Sequence, residues 1–253
     1  MKQPSLFLSH GAPDVLLSND PVLELFAHLG KVRVTPAAIV IVSAHWIAEP
    51  VEVSVIDEYD TIYDFSGFLG ELYDIKYPAK GDKALAQQIL KLLNSKGISC
   101  KENTSRGLDH GAWIPLKAIY PKADIPVVAA SLPNTLEACA VLGVALQELR
   151  QKNILIIGSG GSVHNLSAVN RSNRTDAWAL SFSHWLNRVV ATGDIKLLLD
   201  SANYPSEFAH AHPSVEHLAP LFVALAAGGG QEGGLIYDGY MYGNIGMACY
   251  QFG

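Results

Sequence analysis

The stretch SLFLSHGAP, residues 5–13, joins an apolar run to an abrupt end on a histidine. Its first half is typical of a buried strand, whereas the glycine and proline that follow His10 favour a turn. A second stretch, AIVIVSAHW at residues 38–46, repeats the pattern and ends near His45. An apolar strand fixes the backbone and a turn exposes the side chain. Each stretch therefore predicts a histidine presented at the end of a strand.

Outward from these stretches, apolar runs of strand length alternate with segments of helical period. The predicted strands are Leu6–Ser9, Ala38–Ser43, Val51–Ile56, Ile98–Lys101, Val127–Ser131 and Ile154–Gly158. The predicted helices are Pro21–Leu29, Lys83–Ser95, Trp113–Ile119, Leu136–Gln151, 175–192 and 214–229. This interleaving predicts an α/β fold with a largely parallel central sheet, covered by helices on both faces. The last segment, 234–252, is predicted to form a hairpin with its turn at Gly243 and Asn244.

The length allows one α/β domain or two small ones, and the glycine-rich stretch at residues 229–234 is too short for a domain linker, so one soluble domain over residues 1–253 is favoured. Of the 253 residues 49% are hydrophobic and 17% are charged, which suits a sizeable core. A net charge of -6 without a basic cluster argues against a nucleic-acid partner. The three cysteines are scattered, and neither a signal peptide nor a membrane-length apolar run is apparent. We therefore expect a cytoplasmic protein that needs no membrane, and the sequence leaves its oligomeric state open.

Histidines follow three of the predicted strands: His10, His45 and, in ILIIGSGGSVHN, His164. In open parallel sheets, ligands bind beyond the carboxyl ends of the strands, where the loops converge. If these strands are parallel, the three imidazoles share one edge of the sheet. Imidazole is a common ligand of zinc and of non-haem iron, so the set predicts a metal site there. Taken singly, each histidine is more often a hydrogen-bonded structural residue.

The segment EFAHAHPSVEHLAPL adds further candidate ligands. Pro213 suits the first turn of a helix, which would place His212 at its entry and His217 about one turn inside. His210 and His212 are equally compatible with capping or lining a loop. Glu216 is an alternative oxygen ligand, which would give the two-histidine, one-carboxylate set of ferrous oxygenases. The spacing alone does not choose between these ligands.

Another histidine, His110, stands in the loop-like stretch RGLDHGAW beside Asp109. It could contact a substrate or orient a neighbouring group, whereas Asp109 is equally typical of a helix N-cap. The aromatic stretch YDFSGF, residues 63–68, suits either a wall for a flat ring or a turn with its aromatics packed inward. The glycines of GSGGS, residues 158–162, lack the spacing of a phosphate-binding loop, and we interpret them as the tight turn that presents His164.

Several short motifs occur in one order over nearly the whole chain: SHGAP, VSAHW, YDFSGF, GLDHGAW, GSVHNL and HPSVEHLAPL. Together they resemble the class III extradiol ring-cleaving dioxygenases, specifically the 4,5-DOPA dioxygenase-like family. The resemblance implies an α/β fold with one divalent metal at the strand ends. It also implies the site residues: His10, His45 and His217 as metal ligands, His164 as the acid–base group, and His110 lining the pocket. The chain departs from the protocatechuate-cleaving branch, whose third ligand is a glutamate.

The function that this resemblance implies is insertion of O2 into a small catechol, DOPA-like or related, with ring opening to a semialdehyde. Such chemistry requires a redox-active metal, and we expect Fe(2+). Three neutral imidazoles suit Zn(2+) equally well, so zinc is plausible in the purified protein. Two alternatives remain at this point: a zinc-dependent hydrolase on the same three histidines, and a non-catalytic metal-binding relative. Dependence on oxygen separates the first alternative from a dioxygenase.

Overall fold

The computed structural model describes residues 2–32, 34–172 and 174–253. Ten strands occur in these ranges: β1 Ser5–Ser9, β2 Ala38–Ile47, β3 Val51–Ser54, β4 Cys100–Asn103, β5 Val127–Leu132, β6 Ile154–Gly160, β7 Gly233–Tyr237, β8 Tyr240–Met241, β9 Ile245–Gly246 and β10 Cys249–Phe252. The α-helices there are α1 Val22–Val32, α2 Lys83–Ser95, α3 His110–Ile119, α4 Leu136–Leu146, α5 Ala177–Ala191, α6 Ile195–Leu199, α7 Phe208–Ala211 and α8 Ala219–Gly228. Short 3₁₀ helices cover Pro13–Leu17, Gly70–Asp74, Gln147–Lys152, Leu166–Ala168 and Ser201–Asn203.

Eight of these strands form one sheet in the order β4-β3-β5-β2-β6-β1-β10-β7. The central strands β5, β2, β6 and β1 are parallel, and β3 and β4 are parallel to each other. Antiparallel pairs occur where β3 meets β5 and at the β10 end of the sheet. The predicted largely parallel α/β sheet is therefore confirmed. Because β5, β2, β6 and β1 run the same way, their carboxyl ends meet at one edge.

Helices cover both faces of the sheet, and the alternation along β1 shows how the core is divided. Leu6 and Leu8 pack on the face covered by α1 and α3, whereas Phe7 packs on the opposite face. That opposite face is covered by α2, α4, α5 and α8. All three side chains are fully buried. A strand buried on both faces reads as a continuous apolar run, which explains the run that precedes His10.

The structure corrects several predicted boundaries. β2 continues to Ile47, so His45 lies within the strand and not beyond it. The register between β2 and β5 shifts between Val42 and Ile47, which marks an irregular strand end around His45. The last helix begins at Ala219, so His217 precedes it instead of lying one turn inside. His212 is the C-cap of α7 and does not open a helix.

The segment after α8 forms two antiparallel pairs. β8 pairs with β9 around the tight connection that contains Gly243 and Asn244, as the predicted hairpin requires. β10 pairs with β7, and this pair extends the sheet beyond β1.

None of the helices in the described ranges is long and apolar enough to cross a bilayer.

Candidate metal centre

Three histidines meet at the edge where the parallel strands end. His10 directly follows β1, and its backbone N–H donates to the carbonyl of Gly160 at the end of β6. His45 lies near the end of the neighbouring strand β2. His217 lies in the turn before α8, and its carbonyl accepts a hydrogen bond of 2.9 Å from the N–H of Gly161. One ligand atom from each of these imidazoles lies within 4.8 Å of the other two.

Glycines allow this convergence because they leave room where other residues would collide. A Cβ atom on Gly160 would collide with the carbonyl oxygen of His217, so the glycine lets that segment lie directly on β6. A Cβ atom on Gly111 would lie 2.9 Å from Cδ2 of His45 and 3.1 Å from Cε1 of His10. The glycines of the GSGGS and DHGAW stretches therefore serve close packing around the histidines. No phosphate-binding role is needed to explain them.

The Nδ1 atoms of His10 and His217 both have oxygen partners. Nδ1 of His10 lies 3.0 Å from Oγ of Ser159, whose hydroxyl donates to the carbonyl of Gly111. Because that hydroxyl proton is already used, Ser159 accepts from Nδ1–H of His10. Nδ1 of His217 donates to Oε1 of Glu216 at 3.0 Å. Both imidazoles therefore keep a bare Nε2, the nitrogen that can bind a metal.

The Nε2 atoms of His10 and His45 are spaced as ligands of one ion. Nε2 of His10 lies 3.2 Å from Nε2 of His45. Two nitrogens bound tetrahedrally to one metal at about 2.0–2.1 Å would lie about 3.3 Å apart. Since Nδ1 carries the proton of His10, its bare Nε2 needs a cation or a donor from the other ring. The donor set and its spacing therefore fit one divalent metal ion.

Burial keeps these imidazoles neutral, as metal ligands must be. Burial, reinforced by the neighbouring histidines, holds the pKa of His10 well below its ordinary value. Burial and the nearby His110 lower the pKa of His45 to about 4. Burial lowers the pKa of His217 to about 3, although the hydrogen bond to Glu216 opposes this shift. All three are therefore free to bind a metal at neutral pH.

His164 lies beside this cluster and outside the group formed by His10, His45 and His217. Its ring stacks on that of His217, with 3.4 Å between centroids and 8° between planes. Its backbone N–H donates to the carbonyl of Ala211 at 3.0 Å, which ties the loop after β6 to α7. Burial lowers the pKa of His164, with the charge of Glu216 opposing. A half-buried, neutral imidazole beside the cluster can accept and return a proton.

Asp64 contacts two of the histidines and was missed in the sequence. Its Oδ1 lies 2.9 Å from Nδ1 of His110 and 2.9 Å from the backbone nitrogen of the same residue. Its Oδ2 lies 3.4 Å from Nδ1 of His45. Burial alone would raise the pKa of Asp64, but the hydrogen bonds that His110 donates to it lower the pKa to about 2. From the sequence, YDFSGF suits either an aromatic wall or a turn with its aromatics packed inward, and the acid within it is the one signal that points to Asp64.

The other candidates of the EFAHAHPSVEHLAPL segment make structural contacts. His210 packs its ring edge-on against Trp178 at 4.3 Å. His212 is buried and bonds the carbonyl of Ser162 through Nε2 at 3.0 Å. Glu216 contacts Nδ1 of His217 and forms, with His164 and His217, another group of potential ligand atoms. A third such group is His45, Asp64 and His110.

The effect of burial on a histidine pKa can be tested at His212, which is not one of the proposed metal ligands. Burial lowers its pKa to about 4, against about 6.5 in the unfolded chain. The unfolded chain thus binds a proton that the folded protein excludes, so the free energy of unfolding falls as pH drops from 6.5 to 4. We expect His212→Gln, which keeps a donor for the Ser162 carbonyl, to flatten this dependence by about one proton. Urea titrations of both metal-free proteins across this window measure it, and equal slopes would contradict it.

The histidines open into a cavity of about 1190 Å³. Its walls near the metal centre include His110, His164, Phe65 and Phe68. The ring of Phe65 also packs edge-on against that of His110, with 5.6 Å between centroids. The YDFSGF stretch therefore both packs inward and lines the cavity. The cavity is large enough for a flat ring with a side chain.

The structure is an α/β fold in which three imidazoles that could hold a metal ion meet at the carboxyl end of a parallel sheet. The chain belongs to the family described as the catalytic LigB subunit of aromatic ring-opening dioxygenase, whose model matches residues 7–253. The chain is thus an extradiol dioxygenase of a metal-dependent family.

Individual relatives agree with this family over nearly their whole length. The 4,5-DOPA dioxygenase extradiol of Beta vulgaris is 36% identical over 98% of this chain and 96% of its own. The protein of the same name from Escherichia coli is 34% identical over 100% of this chain and 95% of its own. A crystal structure of an uncharacterized protein from Escherichia coli K12 matches with a TM-score of 0.84 at 30% identity, covering 100% of both chains.

Proposed function

We propose that the chain, as one catalytic domain over residues 1–253, opens the ring of a small DOPA-like catechol with O2 and yields a semialdehyde. In this proposal His10, His45 and His217 hold one Fe(2+) ion. The observation that carries it is the arrangement of these imidazoles: their ligand atoms lie within 4.8 Å of one another, and the Nδ1 atoms of His10 and His217 are occupied by oxygen partners. The substrate class is supported by the names of the relatives.

When bound, ferrous iron supplies the redox couple that dioxygen chemistry requires and the Lewis acidity that lowers the pKa of catechol hydroxyls. The second hydroxyl proton needs a base, and His164 is proposed for this role; its lowered pKa and its position on the cavity wall support the proposal. The ring nitrogen of His164 that takes up this proton can return it when the catechol ring opens, so one histidine can act first as base and then as acid. His110 lines the same cavity and is proposed to contact the substrate.

Two aromatic side chains complete the proposed substrate site. Phe65 and Phe68 lie on the cavity wall, and their rings contact each other edge-on at 5.6 Å. A flat catechol ring would pack against such a wall, which would also exclude water from the metal centre. Gly67, between them, has a φ of 81°, which a glycine adopts without strain.

Loading the purified protein with Fe(2+) or Zn(2+) under anaerobic conditions tests the proposed metal. On admission of oxygen, the iron form should consume one O2 per catechol and release a yellow ring-opened product. The zinc form should stay inactive, because zinc has no accessible redox couple. Metal content is measured for each preparation as the control. Iron-loaded protein that opens no catechol ring would contradict the proposal, as would equal activity with zinc.

A further inference from the structure

We infer that Asp64 is a positioning residue that fixes the tautomer of both His45 and His110, with one carboxylate serving the metal side and the substrate side of the cavity. This inference rests on the proposed function, in which His45 is a metal ligand and His110 faces the substrate. Asp64 itself is assigned no contact with metal or substrate.

The Asp64 carboxylate lies between two histidine rings. Each of its oxygens faces the Nδ1 atom of a different ring: Oδ1 faces His110 at 2.9 Å and Oδ2 faces His45 at 3.4 Å. The two rings lie close, with 4.0 Å between their centroids and 48° between planes. A single planar group can therefore orient both rings together. Loss of this group would free two imidazoles at once.

The charge of the Asp64 carboxylate determines which ring nitrogens carry protons. An ionised carboxylate only accepts, so Nδ1 of His110, which hydrogen-bonds to Oδ1, carries the proton. The negative charge of Oδ2, 3.4 Å from Nδ1 of His45, favours a proton on that nitrogen as well. A neutral imidazole has one N–H, and its Nε2 is then bare. For His45 this bare Nε2 is the atom 3.2 Å from Nε2 of His10, within the proposed ligand set. For His110 it leaves an acceptor on a ring that lines the cavity, where a catechol hydroxyl can donate.

Contacts on several sides hold the Asp64 carboxylate in place. Its Oδ1 also accepts from the backbone N–H of His110, the first residue of α3. The N-terminus of a helix favours a negative charge, so α3 itself stabilises the ionised form. On either side, Tyr63 donates to the carbonyl of Ile75 at 2.8 Å and Phe65 packs against Trp113. The carboxylate is thus fixed by the aromatic stretch that lines the cavity.

The direct test reads the tautomers by ¹⁵N NMR of histidine-labelled, zinc-loaded protein without substrate. At about pH 8.5, where imidazoles are neutral, the wild type should show His45 and His110 protonated at Nδ1. In Asp64→Ala, His110 should shift towards protonation at Nε2, and zinc affinity should fall about 10- to 100-fold. Glu216→Gln is the matched control: this carboxylate faces His217, so His110 should keep its wild-type tautomer.

Asp64→Asn is a second variant for the case that Asp64→Ala does not fold. The amide carbonyl of the asparagine can still accept one of the N–H groups. Asp64→Asn should give an intermediate result, because its NH₂ group cannot accept the second N–H. An Nε2-protonated His110 in the wild type would overturn the inference. So would unchanged tautomers and unchanged zinc affinity in a folded Asp64 variant. The readout needs no turnover, so a failure of ring cleavage would refute the proposed function and leave this inference standing.

Discussion

Replacing His164 with alanine is expected to lower kcat by about 10²- to 10⁴-fold while the metal stays bound. The loss follows from the proposed acid–base role, because His164 stacks on His217 and its ring borders the cavity. Metal binding should persist, since His10, His45 and His217 form a group of ligand atoms without it. Steady-state rates at saturating catechol and oxygen, together with iron content, measure both effects.

A nearby histidine provides the matched control for this variant. His210 packs against Trp178 and is not among the residues that line the cavity. Because surface substitutions away from an active site have small effects, His210→Ala should keep kcat within about twofold. Full activity in His164→Ala would contradict the acid–base role. Loss of iron from His164→Ala would indicate instead that His164 is a metal ligand.

Replacing His217 with alanine is expected to abolish activity through loss of the metal. Removal of an outer partner of a metal ligand costs about 10- to 100-fold in affinity, and removal of the ligand itself should cost more. The neighbouring change Glu216→Gln removes only such a partner, because Glu216 contacts Nδ1 of His217. Iron titration of the two variants should therefore rank Glu216→Gln between the wild type and His217→Ala.

The same ranking distinguishes the ligand set from its alternatives. If Glu216 were the third ligand, as the sequence allowed, Glu216→Gln would lose the metal and His217→Ala would lose less. Equal, near-wild-type affinity in both variants would place the metal elsewhere. Circular dichroism of each variant checks that the fold is retained.

Much of the fold was predictable because the central strands are buried on both faces. Such strands read as short apolar runs, and β1, β2, β5 and β6 were each identified within a few residues. Their parallel arrangement follows from the helices between them. Strand-end histidines could then be placed at one edge without coordinates, and His10 was the clearest case.

What the sequence did not determine depends on contacts between distant segments. The irregular end of β2 keeps His45 inside a strand, and no local pattern marks that irregularity. The backbone of His217 lies against Gly160, so its position is set by packing on β6 and not by a helical period. Asp64 was missed for a similar reason, since its partners are 19 and 46 positions away. The local periodicity of a sequence does not show which distant residues contact each other.

The most direct test of the account is anomalous diffraction at the iron edge from crystals loaded anaerobically with Fe(2+). The account predicts one iron peak within bonding distance of Nε2 of His10, His45 and His217, with His164 unbound beside it. A peak between His45, Asp64 and His110, or between His164, Glu216 and His217, would contradict the proposed centre.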